Sequence, residues 1–138
     1  YVWAGEYRQV ILTKGEIMFS AAEKVPRLKD DLDRGPLREF TPCHPAEPAT
    51  VARALGVVHA ELVLIHPFRE GNGRLARLLA TLMALQAGLP PLDFRGVQGL
   101  ARQRYFVAIQ VAMGRDYGPI ADVFTRIISR TLRSNAGT

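Results

Sequence analysis

Residues 66–77 read His66-Pro67-Phe68-Arg69-Glu70-Gly71-Asn72-Gly73-Arg74-Leu75-Ala76-Arg77 and separate two stretches of helical periodicity. The preceding apolar residues recur at three- and four-residue steps: Val51, Leu55, Val58, Leu62 and Ile65. They predict a helix from about Glu47 to Ile65, ended by His66-Pro67 because a residue before proline is disfavoured in the α region. The following leucines predict a helix from about Asn72 to Ala87, with an apolar face of Leu75, Leu78, Leu79, Leu82 and Leu85. The segment is therefore expected to be a tight loop that opens a helix.

The flanking sequence predicts a mainly α fold. Residues 7–19 alternate loosely around Lys14-Gly15, which is typical of a short β-hairpin whose glycine supplies the positive φ. A helix is expected from Ala21 to about Asp33, then a loop punctuated by Gly35-Pro36, Thr41-Pro42, Pro45 and Pro48. Two further helices are predicted over residues 100–113 and 119–133. We expect one domain over residues 1–138, a bundle of about five to six helices with one appended hairpin.

Composition narrows the class of protein. The 138 residues carry a formal charge of +5, but the basic residues are scattered along the chain, so nucleic-acid binding is not expected. Cys43 is the single cysteine, which excludes an intrachain disulfide and suits a reducing compartment, so a cytoplasmic location is expected. The sequence contains no run of eighteen consecutive apolar residues, so a membrane span is not expected. The chain begins at Tyr1 without a methionine, and we expect that an upstream segment is missing.

The 66–77 segment has the chemistry of a phosphate site. The first N–H groups of a helix have no partner within it, and the helix dipole adds positive potential there. Gly71 and Gly73 allow a close backbone approach, while Arg74 and Arg77 lie on one helix face where two guanidinium groups could hold successive phosphates. The pattern predicts a cradle for a di- or triphosphate.

Two further side chains suggest catalysis. A carboxylate beside bound phosphate would be repelled unless a cation lay between them, so Glu70 predicts a Mg²⁺ ion shared with the phosphates. His66, at the end of the preceding helix, could accept a proton from a hydroxyl near neutral pH. Together they favour phosphoryl or nucleotidyl transfer to a hydroxyl group.

Simpler interpretations stand beside this one. Singly, such a histidine is usually a cap, such a glutamate a partner of the helix dipole, and such glycines a turn. The Gly71–Ala76 stretch also fits the dinucleotide fingerprint, with Asp93 about twenty residues later. That fingerprint needs a strand before its glycines, and the periodicity before His66 is helical.

At these residues the sequence resembles the Fic family. His66 to Arg77 fits the motif His-x-Phe-x-Asp/Glu-Gly-Asn-Gly-x-x-x-Arg at every defined position. The similarity extends to residues 4–8, to His59, and to residues 116–119. The resemblance implies transfer of AMP from Mg²⁺-ATP to a Ser, Thr or Tyr hydroxyl of a protein, called AMPylation.

The family also implies a role for each matching residue. His66 would be the general base and Glu70 would hold Mg²⁺. Gly71, Asn72 and Gly73 would form the anion hole, and Arg74 and Arg77 would bind the β- and γ-phosphates. The hairpin over residues 7–19 resembles the family's flap, which would align a protein substrate by strand addition.

The sequence departs from the family in its regulation. Many members carry an inhibitory helix with the pattern Ser/Thr-x-x-x-Glu-Gly/Asn, whose glutamate pairs with the residue that matches Arg77. No glutamate here has Ser or Thr four residues before it. Inhibition is therefore expected from a missing N-terminal helix or from a separate antitoxin-like protein. Transfer of phosphate or another phosphate-containing group by the same site, and a non-catalytic nucleotide-binding module, remain alternatives.

Overall fold

A computed structural model of the protein describes residues 4–14 and 17–136. Strands β1 (Thr13–Lys14) and β2 (Ile17–Met18) form an antiparallel hairpin in which Thr13 pairs with Met18 and Lys14 with Ile17. A 3-10 turn (Ala22–Lys24) leads into six helices: α1 (Val25–Arg34), α2 (Pro36–Phe40), α3 (Pro48–Ile65), α4 (Asn72–Gln86), α5 (Leu100–Ala112) and α6 (Gly118–Ala136). The predicted fold class, a helical bundle with one appended hairpin, is confirmed.

Helix α3 is the centre of the bundle and packs against α1, α2, α4, α5 and α6. A Cβ atom on Gly56 would lie 3.3 Å from the backbone N of Ala121, so this glycine allows α3 and α6 to approach closely. Burial extends around most of α3 rather than along the single predicted face. The helix is long and apolar enough to cross a membrane, but the other helices cover most of it, which is the environment of a core helix.

The predicted apolar face of α4 is only partly right, because Leu75 and Leu79 are half-buried against the core but the other three leucines are not. Leu78, Leu82 and Leu85 are 55%, 49% and 46% exposed, whereas the core side consists mainly of Ala76, Ala80, Met83 and Ala84. Short side chains allow α4 to pack closely against α3, because less bulk separates the two helix axes. Leu78, Leu82 and Leu85 therefore lie on the outer face.

Two boundaries in the first half of the chain also differ from the prediction. The helix expected from Ala21 begins at Val25, after the 3-10 turn. Gly35-Pro36, predicted to open a loop, instead starts the short helix α2, with Pro36 in its first turn. Proline is compatible with that position because the N–H it lacks has no intrahelical partner there.

The hairpin is fixed to the end of α3. The N–H of Phe19 donates to Leu12 O at 3.1 Å, and the N–H of Ser20 donates to Leu64 O at 3.2 Å. Ile17 and Phe19 are buried in the core. The glycine predicted to form the turn, Gly15, lies outside the described residues.

Candidate active site

Arg8 is a buried cation that joins the hairpin to the end of α3. Its guanidinium donates to the backbone carbonyls of His66 at 2.5 Å, Val10 at 2.7 Å and Ile65 at 3.1 Å, and also to the carbonyl of Ser20. The last carbonyls of a helix lack intrahelical donors, and Arg8 supplies them. From the sequence, Arg8 enters only through the family resemblance of residues 4–8, and this structural role is not predicted.

His66 ends α3 in a left-handed conformation, with φ 49° and ψ 61°. This region is sparsely populated by residues other than glycine, and such outliers cluster at functional sites. The imidazole stacks on Phe19, with ring centroids 3.7 Å apart and an interplanar angle of 7°. Nδ1 is buried and makes no hydrogen bond among the residues the structure describes, which leaves Nε2 as the nitrogen able to exchange a proton.

The surroundings of His66 favour its neutral form. Burial lowers the pKa of the imidazole, the positive charges of Arg8 and Lys14 lower it further, and the carbonyl of Val63 acts in the opposite direction. A histidine whose pKa lies below its ordinary value is neutral at pH 7 and can accept a proton.

The loop after His66 is braced by Asn72. The N–H of Phe68 donates to Asn72 Oδ1 at 2.8 Å, and Asn72 Nδ2 donates back to Phe68 O at 2.5 Å. The Asn72 side chain therefore bonds within the loop, and only its backbone N–H is available to a bound anion. The N–H of Leu75 donates to Gly71 O at 2.9 Å, so the three preceding N–H groups lie before the first intrahelical bond.

Both predicted arginines lie against the glycine loop. Gly71 has φ 83°, and a Cβ atom there would be 3.5 Å from Arg74 Nη2. A Cβ atom on Gly73 would be 3.3 Å from Arg77 Nη1. The two guanidinium groups thus lie next to the N-terminus of α4, where the helix dipole already favours an anion.

Glu70 lies at the exposed edge of this loop. No group of three or more His, Cys, Asp or Glu side chains that could hold a metal ion occurs within residues 4–14 and 17–136. A single carboxylate suits Mg²⁺ only if phosphate oxygens and waters complete its coordination, which is the usual arrangement for this ion. Glu70 fits such a role beside a phosphate site.

A cavity of about 350 Å³ joins these groups. Lys14, His66, Gly73 and Arg77 give it a polar, positively charged side. Its remaining wall is largely aromatic and aliphatic, from residues distant in sequence: Phe94, Val97, Tyr105, Phe106, Ile109, Phe124 and Ile127. The volume falls within the roughly 300–1,000 Å³ of small-molecule sites. A ligand with an anionic end and a planar apolar end matches this lining.

The aromatic wall rests on a buried hydrogen-bonded pair. His59 Nε2 accepts from the hydroxyl of Tyr105 at 2.7 Å, and Nδ1 lies 3.3 Å from Ala76 O, to which it can donate. Burial lowers the pKa of His59 to about 4 and raises the pKa of Tyr105 to about 12, so both are neutral at pH 7. Arg77 lowers both pKa values through its positive charge, which shows that it lies close to this pair.

Two cations lie over the Phe106 ring of this wall. Lys14 Nζ lies 5.3 Å and Arg102 Cζ lies 5.5 Å from the centroid of the Phe106 ring. The sequence alone predicts no role in the site for Tyr105, Phe106 or Arg102. The spacing of these residues predicts a helix but not a site. The packing of α5 places them in the cavity that His66 also lines.

Comparison with known proteins decides the family. The sequence profile of the Fic/DOC family matches residues 1–84, more than half of the chain. The chain belongs to the Fic/DOC family. Among curated relatives, it is similar to "Protein adenylyltransferase Fic" of Aedes aegypti, with 37% identity over 89 residues, 64% of this chain and 16% of that protein. It is also similar to "Protein adenylyltransferase fic-1" of Caenorhabditis elegans, with 36% identity over 74 residues, 54% of this chain and 13% of that protein.

Solved Fic domains share the fold. The BepC effector of Bartonella tribocorum, solved with bound AMPPNP, has a TM-score of 0.71 at 23% identity, over 92% of this chain and 66% of that one. Fic-1 (residues 134–508, E274G) from C. elegans has a TM-score of 0.70 at 27% identity, over 99% of this chain and 38% of that one. The present chain spans less than a fifth of the length of the curated relatives it matches.

Proposed function

We propose that this Fic domain transfers AMP from ATP to a hydroxyl group of a protein. The observation that carries the proposal is one cavity in which His66 faces the glycine-lined start of α4 and Arg77, with an aromatic wall beyond them. Curated relatives named protein adenylyltransferases and a neighbour solved with bound AMPPNP support the same reaction.

In this proposal the cavity determines how ATP binds. The backbone N–H groups of Gly71, Asn72 and Gly73 would receive the phosphates, because they begin a helix and have no intrahelical partner. Arg74 and Arg77 would hold the β- and γ-phosphates through charge-assisted hydrogen bonds. The adenine would then lie against the aromatic wall that α5 supplies.

His66 would act as the general base. The target hydroxyl oxygen bonds to the α-phosphorus while the bond from that phosphorus to the β-phosphate oxygen breaks, which releases pyrophosphate. The hydroxyl proton passes to Nε2 of His66. Positioning and charge neutralisation supply most of the acceleration in phosphate transfer, so the cations around the cavity are as important as the base.

Glu70 would hold Mg²⁺ together with the phosphates. When bound, this ion neutralises phosphate charge. The exposed position of Glu70 leaves space for the coordinating waters that Mg²⁺ retains.

Labelled ATP tests the reaction. We expect label from the α-phosphate to enter protein when the domain is incubated with ATP, Mg²⁺ and cell lysate, and His66→Ala to abolish it. His44→Ala, which removes an exposed histidine away from the cavity, is the matched control and should retain activity. Label from the γ-phosphate alone would instead indicate phosphoryl transfer, and no label from any phosphate-containing donor would indicate a binding module.

Direct ATP binding tests the assigned ligands. Arg77→Ala should raise the dissociation constant for ATP about tenfold or more, because one charge-assisted contact is lost. Arg27→Ala removes an exposed arginine of α1 and should leave that constant unchanged. Glu70→Ala should remove the Mg²⁺ dependence of ATP binding, whereas Glu39→Ala should not. Equal Mg²⁺ dependence in both glutamate variants would contradict the Glu70 assignment.

The hairpin would dock the protein substrate by strand addition. Ile11 and Met18 are 63% and 64% exposed and could contact an added strand. Ile11→Glu with Met18→Glu should reduce transfer to protein while the dissociation constant for ATP stays unchanged. If the double variant lost ATP binding as well as transfer to protein, the hairpin would serve only to complete the core.

Arg77 also suggests how the enzyme would be inhibited. It forms no ion pair with any acid in the described part of the chain. A glutamate from an N-terminal helix or an antitoxin-like protein could pair with it and block the terminal phosphate. The free thiol of Cys43 is compatible with a reducing compartment, and we propose that the protein acts in the cytoplasm.

A further inference from the structure

A second, smaller groove lies between α5, α6 and the loop that follows α4. Its volume is about 170 Å³. Four arginines surround it, one from α5 and three from α6: Arg104, Arg126, Arg130 and Arg133. The three on α6 are spaced by four and three residues, which places them on one helix face. Its remaining lining includes Val97, Ala101, Val123 and Ile127.

Asp93 is the acidic residue in the lining, and its carboxylate is already paired. It accepts from Arg95 Nε and Nη2, each at 2.9 Å, from Arg130 Nε at 3.3 Å, and from Ser134 Oγ at 3.0 Å. The hydrogen bonds from Arg95 hold the pKa of Asp93 well below its usual range, so it remains charged. Asp93 therefore orients Arg130 and offsets part of its charge.

The other three arginines have no such partner. Arg104, Arg126 and Arg133 are exposed and make no hydrogen bond or ion pair with the residues described. Asp122 lies one turn before Arg126 but forms no ion pair with it. Three like charges around one concavity repel one another, and an anion bound between them would relieve this repulsion.

The geometry points to a phosphate-binding site in this groove, separate from the active-site cavity. Guanidinium forks match the oxygens of a phosphate, and several can bind one group at once. The volume is below the roughly 300–1,000 Å³ that encloses a drug-sized ligand, so the groove suits a phosphate group with a few attached carbon atoms. Its aliphatic residues can contact those carbons.

The shape of the groove argues for a compact phosphate group rather than a nucleic-acid backbone. Binding to a duplex spreads charge contacts along many phosphates. Here the cations converge on one small pocket. Val97 and Ile127 line both this groove and the active-site cavity, so a ligand in the groove would contact the back of the wall assigned to adenine.

Titration with phenyl phosphate, followed by NMR of the arginine Nε–Hε groups at about 0.15 M salt, tests the inference. We expect the signals of Arg104, Arg126 and Arg133 to shift with saturation. Arg104→Gln with Arg126→Gln should raise the groove's dissociation constant about tenfold or more, because two charge-assisted contacts are lost.

Two matched double variants separate this site from other effects. Arg27→Gln with Arg38→Gln removes the same charge from exposed positions elsewhere and should leave groove binding unchanged. Arg74→Gln with Arg77→Gln removes the cations of the proposed ATP site and should also leave it unchanged. Groove binding therefore stands or falls independently of the proposed AMP transfer.

A third arm distinguishes the source of the phosphate. If a neutral peptide with one phosphoserine binds the groove more tightly than phenyl phosphate, the natural ligand is a phosphorylated protein. If phenyl phosphate binds more tightly, the natural ligand is a small phosphate ester. The inference is overturned if the groove signals do not shift, or if the Arg27/Arg38 control weakens binding equally. It is also overturned if duplex DNA binds the groove and phenyl phosphate does not compete with it.

Discussion

Replacing His59 by Gln tests whether this buried imidazole makes the fold sensitive to acid. His59 lies inside the bundle, hydrogen-bonded to Tyr105 and packed edge-to-face on Phe124 with ring centroids 5.1 Å apart. Its pKa of about 4 arises first from burial, and the nearby charge of Arg77 lowers it further. A protonated His59 would be a buried charge beside another cation.

The expected size follows from proton linkage. The folded pKa is about 4, below the ordinary histidine value of 6.5, so the unfolded chain binds the proton more readily. Folding stability therefore falls as the pH drops below 6.5 and stops falling below about 4. At about 1.4 kcal/mol for each unit of pKa, the full loss is about 3 kcal/mol. Between pH 7 and pH 5, about 2 kcal/mol of it should be lost.

Urea denaturation at pH 7 and pH 5 measures this loss of folding stability. His59→Gln should lower the free energy of unfolding at pH 7 by about 1–3 kcal/mol, because ring packing and the bond to Tyr105 are lost. The drop in stability from pH 7 to pH 5 should then be about 2 kcal/mol smaller in the variant than in the wild type. The exposed-site variant His44→Gln should retain the wild-type drop. An equal drop in His59→Gln and the wild type would refute the reasoning.

Three further predictions concern the site loop and His66. Lys14→Gln should raise the pKa of His66, because a positive charge that lowers it is removed, and an NMR titration that finds it unchanged or lowered would contradict this. Asn72→Ala should destabilise the domain by about 2 kcal/mol in urea denaturation, because the N–H and C=O of Phe68 each lose a partner. Gly71→Ala should cost about 1–2 kcal/mol, since φ 83° is unfavourable for any residue with a Cβ, and an unchanged melting temperature would exclude strain there.

The centre of the site could be predicted from sequence because its signals are local. Proline after His66 ends α3, and the glycines before Arg74 open α4, so the loop and its flanking helices follow from backbone chemistry alone. Arg74 and Arg77 share a face through helical spacing. None of these features depends on how the helices pack.

The sequence-based predictions fail where a feature depends on how the helices pack. Periodicity predicts one leucine face on α4 but does not say which of its residues reach the core, and close approach to α3 buried Ala76, Ala80 and Ala84 while Leu78, Leu82 and Leu85 stayed exposed. The aromatic wall shows the same dependence, because only the tertiary arrangement brings Tyr105 and Phe106 into the cavity that His66 lines. Such a wall can be predicted only once the fold is known.

Arg8 links the position of the base to its chemistry. Its guanidinium bonds the carbonyl of His66 and the carbonyls of Val10 and Ser20, so the hairpin is held to the residue that would take the proton. A strand added to the hairpin would therefore be positioned relative to His66 through these bonds. Burial lowers the pKa of His66 most, and the charge of Arg8 lowers it further, which favours the neutral imidazole that can accept a proton. In the proposed reaction, Arg8 would therefore serve both the docking of a target strand and the neutral state of His66, in addition to stabilising the end of α3.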